Sequence, residues 1–207
     1  MSDKVLPYAL TTTERIKDRL GITTNSPDVV LTRLINGVTD FIESYCERHF
    51  VKETYSNQLH IVRDESQKYL LLQYSPVLQI NYFEWRAGTI SNPSWEEFMT
   101  DQYELEGDGS SGVIRVYGGM PKGTNMVRVS YVAGYLVDWE NVGDLSKHNL
   151  PADLTDLAER LVIKTYNRRE KTGIKNESFN NANVFWNDAI EIEDKMTLNR
   201  YARELLI

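Results

Sequence analysis

The residues of this chain that could carry out chemistry are concentrated in one acidic segment, residues 96–108. Carboxylates at short spacing can act as general acid and base, or can bind a hard cation such as Ca²⁺. The spacing matches no EF-hand loop and no nucleophile–base pair accompanies it, so a hydrolase is the weakest functional hypothesis. We expect these side chains to lie on solvated strand edges. The acids are Glu96, Glu97, Asp101, Glu104, Glu106 and Asp108.

The other candidates for chemistry are sparse. His49, His60 and His148 are far apart, and none is followed at the second, third or fourth position by a ligand that would suggest zinc, so we expect no metal site. Cys46 is the single cysteine, and we predict a small buried hydrophobe there and not a nucleophile. Gly107-Asp108-Gly109 lacks the Lys-Ser/Thr of a phosphate-binding loop and is predicted to be a turn. We therefore expect no catalytic residue and no cofactor.

The composition is typical of a protein that forms interfaces with other proteins. The chain has 207 residues, a net charge of −7, twelve tyrosines and four tryptophans. Tyrosine and tryptophan are typical of interfaces, whereas a groove that grips nucleic acid needs clustered lysine and arginine. No run approaches the roughly 18 apolar residues of a membrane span, and the N-terminus lacks an apolar signal core. We expect a protein that is cytoplasmic or is assembled in the cytoplasm.

Two helices are predicted near the N-terminus. Thr11 and Glu14 fit a capping box that opens the first helix, and Gly21 is placed to end it in a left-handed conformation. In Ser26-Pro27-Asp28, Ser26 is the predicted cap of the second helix, which runs to Cys46. Its wide apolar face is formed by Val30, Leu31, Leu34, Ile35, Val38, Phe41, Ile42 and Tyr45.

The period of the pattern changes between residues 50 and 135. Short runs rich in Tyr, Val, Ile and Leu alternate with turn clusters such as Ser91-Asn92-Pro93. Consecutive strands without room for crossover helices predict a mostly antiparallel sheet. The predicted strands are residues 53–55, 59–62, 69–72, 77–85, 103–105, 113–116 and 127–131.

Helices return after a polar segment. A third helix is predicted to open at Leu150-Pro151-Ala152 and to end at Arg168-Arg169-Glu170, before a polar loop over residues 171–183. A last helix is predicted over residues 193–206. The fold class is therefore α+β, with a small bundle of N-terminal and C-terminal helices and an inserted, mostly antiparallel β domain. The predicted boundaries are 1–50 and 151–207 for the bundle, 51–136 for the β domain and 137–150 for a linker.

Several segments, taken in their order and spacing, carry a family resemblance along most of the chain. They are Leu10-Thr11-Thr12, Leu20-Gly21-Ile22, Leu31-Thr32-Arg33-Leu34-Ile35 and residues 42–50, 71–77, 127–135, 150–154, 166–170 and 175–179. Together they resemble the head–tail connector proteins of long-tailed bacteriophages, also called adaptor or head-completion proteins. The segments 137–149 and 86–94 are longer than in the short family form.

The resemblance implies a structural virion protein of the neck, at the head–tail interface, that is assembled in the host cytoplasm. It implies a homo-oligomeric ring, usually of twelve subunits, docked under the portal protein. Genomic DNA would pass through the lumen without sequence-specific binding, and no membrane is involved. The C-terminal region would meet the portal. The β insert or nearby loops would meet the next neck protein, a stopper or tail-completion protein.

The candidate interface residues lie in the C-terminal part. The basic stretch over residues 160–175 could form salt bridges to the portal or to neighbouring subunits. Alternatively, it is a solvated helix face balanced by the acids of residues 188–194. Trp186 is a candidate docking anchor, with local packing as the alternative. The proposed portal or subunit contacts are Arg168, Arg169, Lys171, Lys175, Phe179, Phe185, Trp186 and Tyr201.

A second function class stays open at the level of sequence. It is a small-ligand or carbohydrate-binding β module on a helical stem. This alternative predicts aromatic side chains that line a pocket between residues 83 and 95.

Overall fold

The computed structural model describes residues 4–89, 91–171 and 190–202. The chain divides into two compact units, a helical unit of Met1–Phe50 and Val137–Ile207 and a β unit of Val51–Leu136. Neighbouring strands of the β unit are antiparallel throughout the register that the structure gives. The predicted α+β class is therefore confirmed.

The helical unit is built around two long helices. In the described part its helices are α1 Thr13–Leu20, α2 Asp28–Cys46, α3 Ala152–Lys171 and α4 Ile192–Tyr201. The periodic apolar positions of the two long helices face each other, because burial of those stripes drives their packing. None of these four helices is long and apolar enough to cross a membrane. The buried side chains of the pair are Leu31, Leu34, Ile35, Val38 and Ile42 on α2 and Leu154, Leu157, Leu161 and Val162 on α3.

The start of α1 differs from the prediction by one residue. Thr12, and not Thr11, is the N-cap, and its Oγ1 accepts a hydrogen bond from the Arg15 N–H at 3.4 Å. Thr11 is buried, and its hydroxyl donates to Oε1 of Glu159 on α3 at 3.1 Å. Gly21 ends the helix at φ 66°, as predicted.

The predicted cap of α2 is wrong as well. The helix begins at Asp28, and Pro27 occupies the cap position without a side-chain hydrogen bond. Ser26 is therefore one residue too early to reach the free N–H groups of the first turn. Asp28 contributes instead through an ion pair with Lys17 of α1, at 3.0 Å between Nζ and Oδ1.

The last described helix packs antiparallel to α3. A capping box formed by Glu191 and Asp194 opens α4, one residue before the predicted start. Leu198 is fully buried, whereas Met196 is exposed. The predicted end at residue 206 lies outside the described residues.

The described residues of the β unit form two sheets. Its strands are β1 Glu53–Val62, β2 Tyr69–Leu71, β3 Val77–Gly88, β4 Pro93–Glu97, β5 Tyr103–Leu105, β6 Val113–Val116 and β7 Gly123–Ala133. Sheet A has the order β1-β7-β3-β4, and sheet B has the order β2-β6-β5. A short helical turn, Glu106–Gly109, connects β5 to β6.

Two strand predictions need correction. The predicted strands 53–55 and 59–62 are one strand, β1, which passes through a bulge between Tyr55 and Gln58 with Asn57 at φ 54°. Strand β4 was not predicted, because Ser91-Asn92-Pro93 is typical of a turn. Pro93 is the first residue of an edge strand, where its missing N–H costs no ladder hydrogen bond.

The inner faces of the two sheets pack against each other and form the core of the β unit. Sheet A contributes Phe83, Val129 and Tyr131, and sheet B contributes Ile114 and Val116. All five side chains are essentially inaccessible to water. Because inner and outer residues alternate along each strand, the outer faces point away from this core on its two sides.

The segment of residues 137–150 contacts α1 within the helical unit. The guanidinium of Arg15 lies 5.6 Å from the centre of the Trp139 ring, and the ring of buried His148 lies 4.8 Å from the same Trp139 ring. Nδ1 of His148 accepts a hydrogen bond from the Asp138 N–H at 3.2 Å. These contacts hold both ends of the segment.

Candidate assembly surfaces

Strand β7, one of the two inner strands of sheet A, carries Arg128 on its outer face. Val127, Val129 and Tyr131 of β7 point into the core, so the alternation places Arg128 and Ser130 outward. Arg128 lies between Leu59 of β1 and Glu84 of β3 in the register of the sheet, so the three side chains share one face.

Arg128 is held in place by two different contacts. Its Nε and Nη2 donate to the two carboxylate oxygens of Glu84 at 2.6 and 2.9 Å. Its guanidinium lies 4.3 Å from the centre of the Trp95 ring of β4. The hydrogen bond to Glu84 raises the pKa of Arg128 above its ordinary value. A bidentate, stacked arginine has little conformational freedom left to lose when a partner covers it.

Exposed apolar side chains surround this arginine. Leu59 and Ile61 of β1 and Tyr82 of β3 have between 49 and 59% of their surface exposed. Tyr82 lies opposite Ser130 of β7 and therefore on the outer face. We call this surface A, formed by Leu59, Ile61, Tyr82, Glu84, Trp95 and Arg128.

Sheet B has the same arrangement on its own central strand. Arg115 of β6 lies between Tyr69 of β2 and Glu104 of β5 in the register. Its Nη1 is 3.3 Å from Oε1 of Glu104, and its guanidinium lies 5.5 Å from the centre of the Tyr117 ring. A hydrogen bond with Glu104 raises the pKa of the Tyr117 hydroxyl.

Two tyrosines of this second surface are open to solvent. Tyr69 and Tyr117 are 50 and 53% exposed. We call this surface B, formed by Tyr69, Glu104, Arg115 and Tyr117. Surfaces A and B each combine exposed aromatic or aliphatic side chains with one arginine whose charge is balanced, which is the composition of the centre of a protein interface.

The structure describes only some of the predicted interface residues. Arg168 lies half-buried near the end of α3. The Tyr201 hydroxyl donates to Oδ1 of Asp153 at 2.5 Å, and its ring meets the edge of Phe50 at 5.9 Å between ring centres, so Tyr201 contacts its own chain. The remaining members lie outside the described side chains. They are Arg169, Lys171, Lys175, Phe179, Phe185 and Trp186.

Part of the basic stretch is neutralised within the chain. Arg160 pairs with Asp156 at 3.2 Å and with Asp194 of α4 at 3.1 Å. Lys164 pairs with Glu191 at 2.6 Å. The acids that follow the stretch in sequence therefore balance its first half.

The acidic segment does not converge on a site. Glu96 lies opposite Trp85 and Glu97 lies opposite Glu84 on the neighbouring strand, so the two acids point to opposite faces of β4. Among the described residues, no group of three His, Cys, Asp or Glu side chains could hold a metal ion.

The aromatic residues of the segment 83–95 also separate. Phe83 stacks on Phe98 in the core at 4.3 Å between ring centres, and Trp85 packs beside them. Trp95 lies on the outer face under Arg128. The ligand-binding alternative predicts that these rings line one pocket. The structure instead places them on opposite faces of sheet A.

Sequence reasoning missed Arg115 and Arg128. The available signal was the apolar residue on each side of the arginine in Ile114-Arg115-Val116 and Val127-Arg128-Val129, which places each arginine on the face opposite the buried positions. What the sequence alone does not reveal is the partner on the neighbouring strand, since strand pairing is set by the whole sheet.

Comparisons with known proteins give one family and one fold. A family model described as "Head completion protein" matches residues 9–187. Among solved structures, a chain from "Neck of empty GTA particle computed with C6 symmetry" is similar, with a TM-score of 0.58 and 14% identity. The alignment covers 99% of this chain and 96% of that chain, and at this identity it shows a shared fold. No curated protein matches the sequence.

Proposed function

Because the chain belongs to the head completion protein family, whose members are structural proteins of the virion neck, we propose that it is a subunit of a ring that docks under the portal. In this role it completes the DNA-filled head and offers a surface to a stopper or tail-completion protein. The observation that carries the proposal is the family match over residues 9–187, which spans both units.

Two features support a ring. The similar solved chain comes from a particle neck computed with C6 symmetry, and a ring of twelve subunits is compatible with a six-fold axis. A closed ring also needs two different contact surfaces on every subunit. The β unit provides two exposed surfaces of interface-like composition, surface A and surface B.

The charge distribution supports a channel through which DNA passes without being bound. Affinity for the DNA backbone depends on arginine and lysine side chains that neutralise phosphates. In this chain of net charge −7, Arg115, Arg128, Arg160 and Lys164 are already paired with carboxylates of the same subunit. Unpaired carboxylates repel phosphate and keep the DNA mobile.

The portal contact is proposed for the C-terminal part. The family resemblance places this contact in the C-terminal region, where the basic residues at the end of α3 and after it supply cations for salt bridges to the portal. The proposed set is Arg168, Arg169, Lys171 and Lys175, with Phe179, Phe185, Trp186 and Tyr201 as apolar contacts.

The proposal is tested with particles assembled in the absence of this protein. We expect DNA-filled heads that carry portal but no tail and that lose DNA, and we expect purified protein to restore tail joining. Infectious, tailed particles formed without the protein would overturn the proposal. A binding assay of the purified protein with duplex DNA at low salt should also show no binding.

A further inference from the structure

We infer that neighbouring subunits of the ring join through their β units, with surface A of one copy packed on surface B of the next. This inference rests on the proposed ring function and names the contact that would build it. It assigns a role to two clusters that the family match alone leaves without one.

The positions of the two surfaces suit a head-to-tail contact. The strands that carry surfaces A and B share one core, because the inner faces of the two sheets pack together. Arg128 and Arg115 lie on the outer faces of the two sheets and therefore on opposite sides of the β unit. Different patches on opposite sides give a heterologous contact, which closes into a ring when the rotation between copies is right.

The side chains exposed on the two surfaces complement each other chemically. Surface A offers the aliphatic Leu59 and Ile61 beside Tyr82, and surface B offers the rings of Tyr69 and Tyr117. Tyrosine rings packed on aliphatic groups bury much apolar area, and their hydroxyls can remain at the wet rim. Single exposed apolar residues need no explanation, but three on one sheet face and two on the other form patches.

Both faces are locally balanced in charge. Copies that carry a net charge of −7 repel each other, so a contact needs a locally neutral area. On surface B, Arg115 balances Glu104. On the outer face of sheet A, Arg86 lies opposite Trp95, and with Arg128 it balances Glu84 and Glu97.

The free edges of sheet A are less suited to joining copies. β4 is short, begins with Pro93 and carries Glu96 and Glu97, a combination that discourages strand addition. β1 is bulged relative to β7 at two places, which interrupts a regular ladder of hydrogen bonds. A contact through the faces therefore fits the sheet better than a contact through its edges.

The test uses two variants of the full-length protein. The surface A variant carries Leu59→Asp and Tyr82→Asp, and the surface B variant carries Tyr69→Asp and Tyr117→Asp. The matched control carries Val142→Asp and Leu145→Asp, two exposed apolar residues of the helical unit. Far-UV circular dichroism and thermal melting establish that each variant is folded, and serine in place of aspartate gives milder versions.

We expect sedimentation equilibrium to show that each surface variant alone stays monomeric, with self-association at least about tenfold weaker than in the wild type. An equal mixture of the two variants should form 1:1 dimers and nothing larger. Each variant then contributes its one intact surface. The control variant should assemble like the wild type.

Three outcomes would overturn the inference. In the first, both surface variants form rings like the wild type. In the second, the surface B variant alone forms dimers, which indicates that surface A pairs with itself. In the third, the mixture of variants stays monomeric under conditions in which the wild type assembles. If the wild-type protein forms rings neither in solution nor on portal-bearing heads, the proposed function itself fails, and that result is distinct from the other three.

Discussion

Glu159 of α3 accepts a hydrogen bond from Nε of Arg15 on α1, at 2.6 Å to Oε1, although only 1% of the Glu159 side chain is exposed. Nε of Arg19 donates to the second oxygen at 2.7 Å, and the Thr11 hydroxyl donates at 3.1 Å. A buried carboxylate is stable only when its oxygens are satisfied in this way. The short helix α1 is thus fastened to a helix 144 residues further along the chain.

Replacement of this carboxylate should loosen the helical unit. We expect Glu159→Ala to lower the free energy of unfolding by about 2 to 3 kcal/mol, because the carboxylate's three hydrogen bonds, two of them donated by arginines, are lost. The loss should stay below that of a fully buried ion pair, since both arginines are half-exposed and can be hydrated. Urea denaturation measures it, with Glu14→Ala, an exposed acid of α1, as the control. Equal stability of the two variants would contradict the role of Glu159.

The neighbouring glycines Gly118 and Gly119 should respond differently to alanine. Gly119 has φ 79°, and a Cβ there would overlap the backbone carbonyl oxygen of Glu65. Gly118 has open space around the corresponding position. We expect Gly119→Ala to destabilise the protein by about 2 kcal/mol or more and Gly118→Ala to change stability by less than about 1 kcal/mol. Thermal unfolding of the two variants measures this difference. A Gly119→Ala protein as stable as the wild type would refute this placement of the loop.

The thiol of Cys46 should be unreactive in the folded protein. Burial raises the pKa of Cys46 to about 12, and its Sγ lies 3.6 Å from the Leu198 carbonyl oxygen, to which it can donate. Because the thiolate is the reactive form, we expect negligible labelling by a maleimide at pH 8 and full labelling in denaturant. Cys46 is the single cysteine, so the label count reads this site alone. Rapid labelling of the native protein would show that the α2–α4 contact opens.

His148 should make stability depend on pH. Burial lowers the pKa of His148 below its ordinary value, and its Nδ1 is occupied as an acceptor from Asp138. The unfolded chain therefore binds the proton more readily, so stability is complete above about pH 6.5 and falls as the pH drops below that value, by at most about 1.4 kcal/mol per pH unit. His148→Asn keeps an acceptor but cannot be protonated, and it should lose less stability than the wild type between pH 7.5 and 5.5. Equal losses in the two proteins would remove His148 as the cause.

Some elements of the fold could be predicted from the sequence, and others could not. The apolar stripe of α2 and the alternation in β7 predicted helix, strand and buried face, because those patterns depend on local periodicity. The cap at Thr12 and the strand at β4 were missed, since a neighbouring threonine and a proline gave equally good local signals. The partners of Glu159, Arg115 and Arg128 come from distant segments, and no local pattern indicates them.

Mass photometry tests most directly whether this protein forms a ring at the portal. The pure protein is measured alone and after incubation with portal-bearing capsids that lack necks. We expect rings in solution, or monomers that become rings on the portal. A stable monomer that does not associate with the capsid would contradict this expectation.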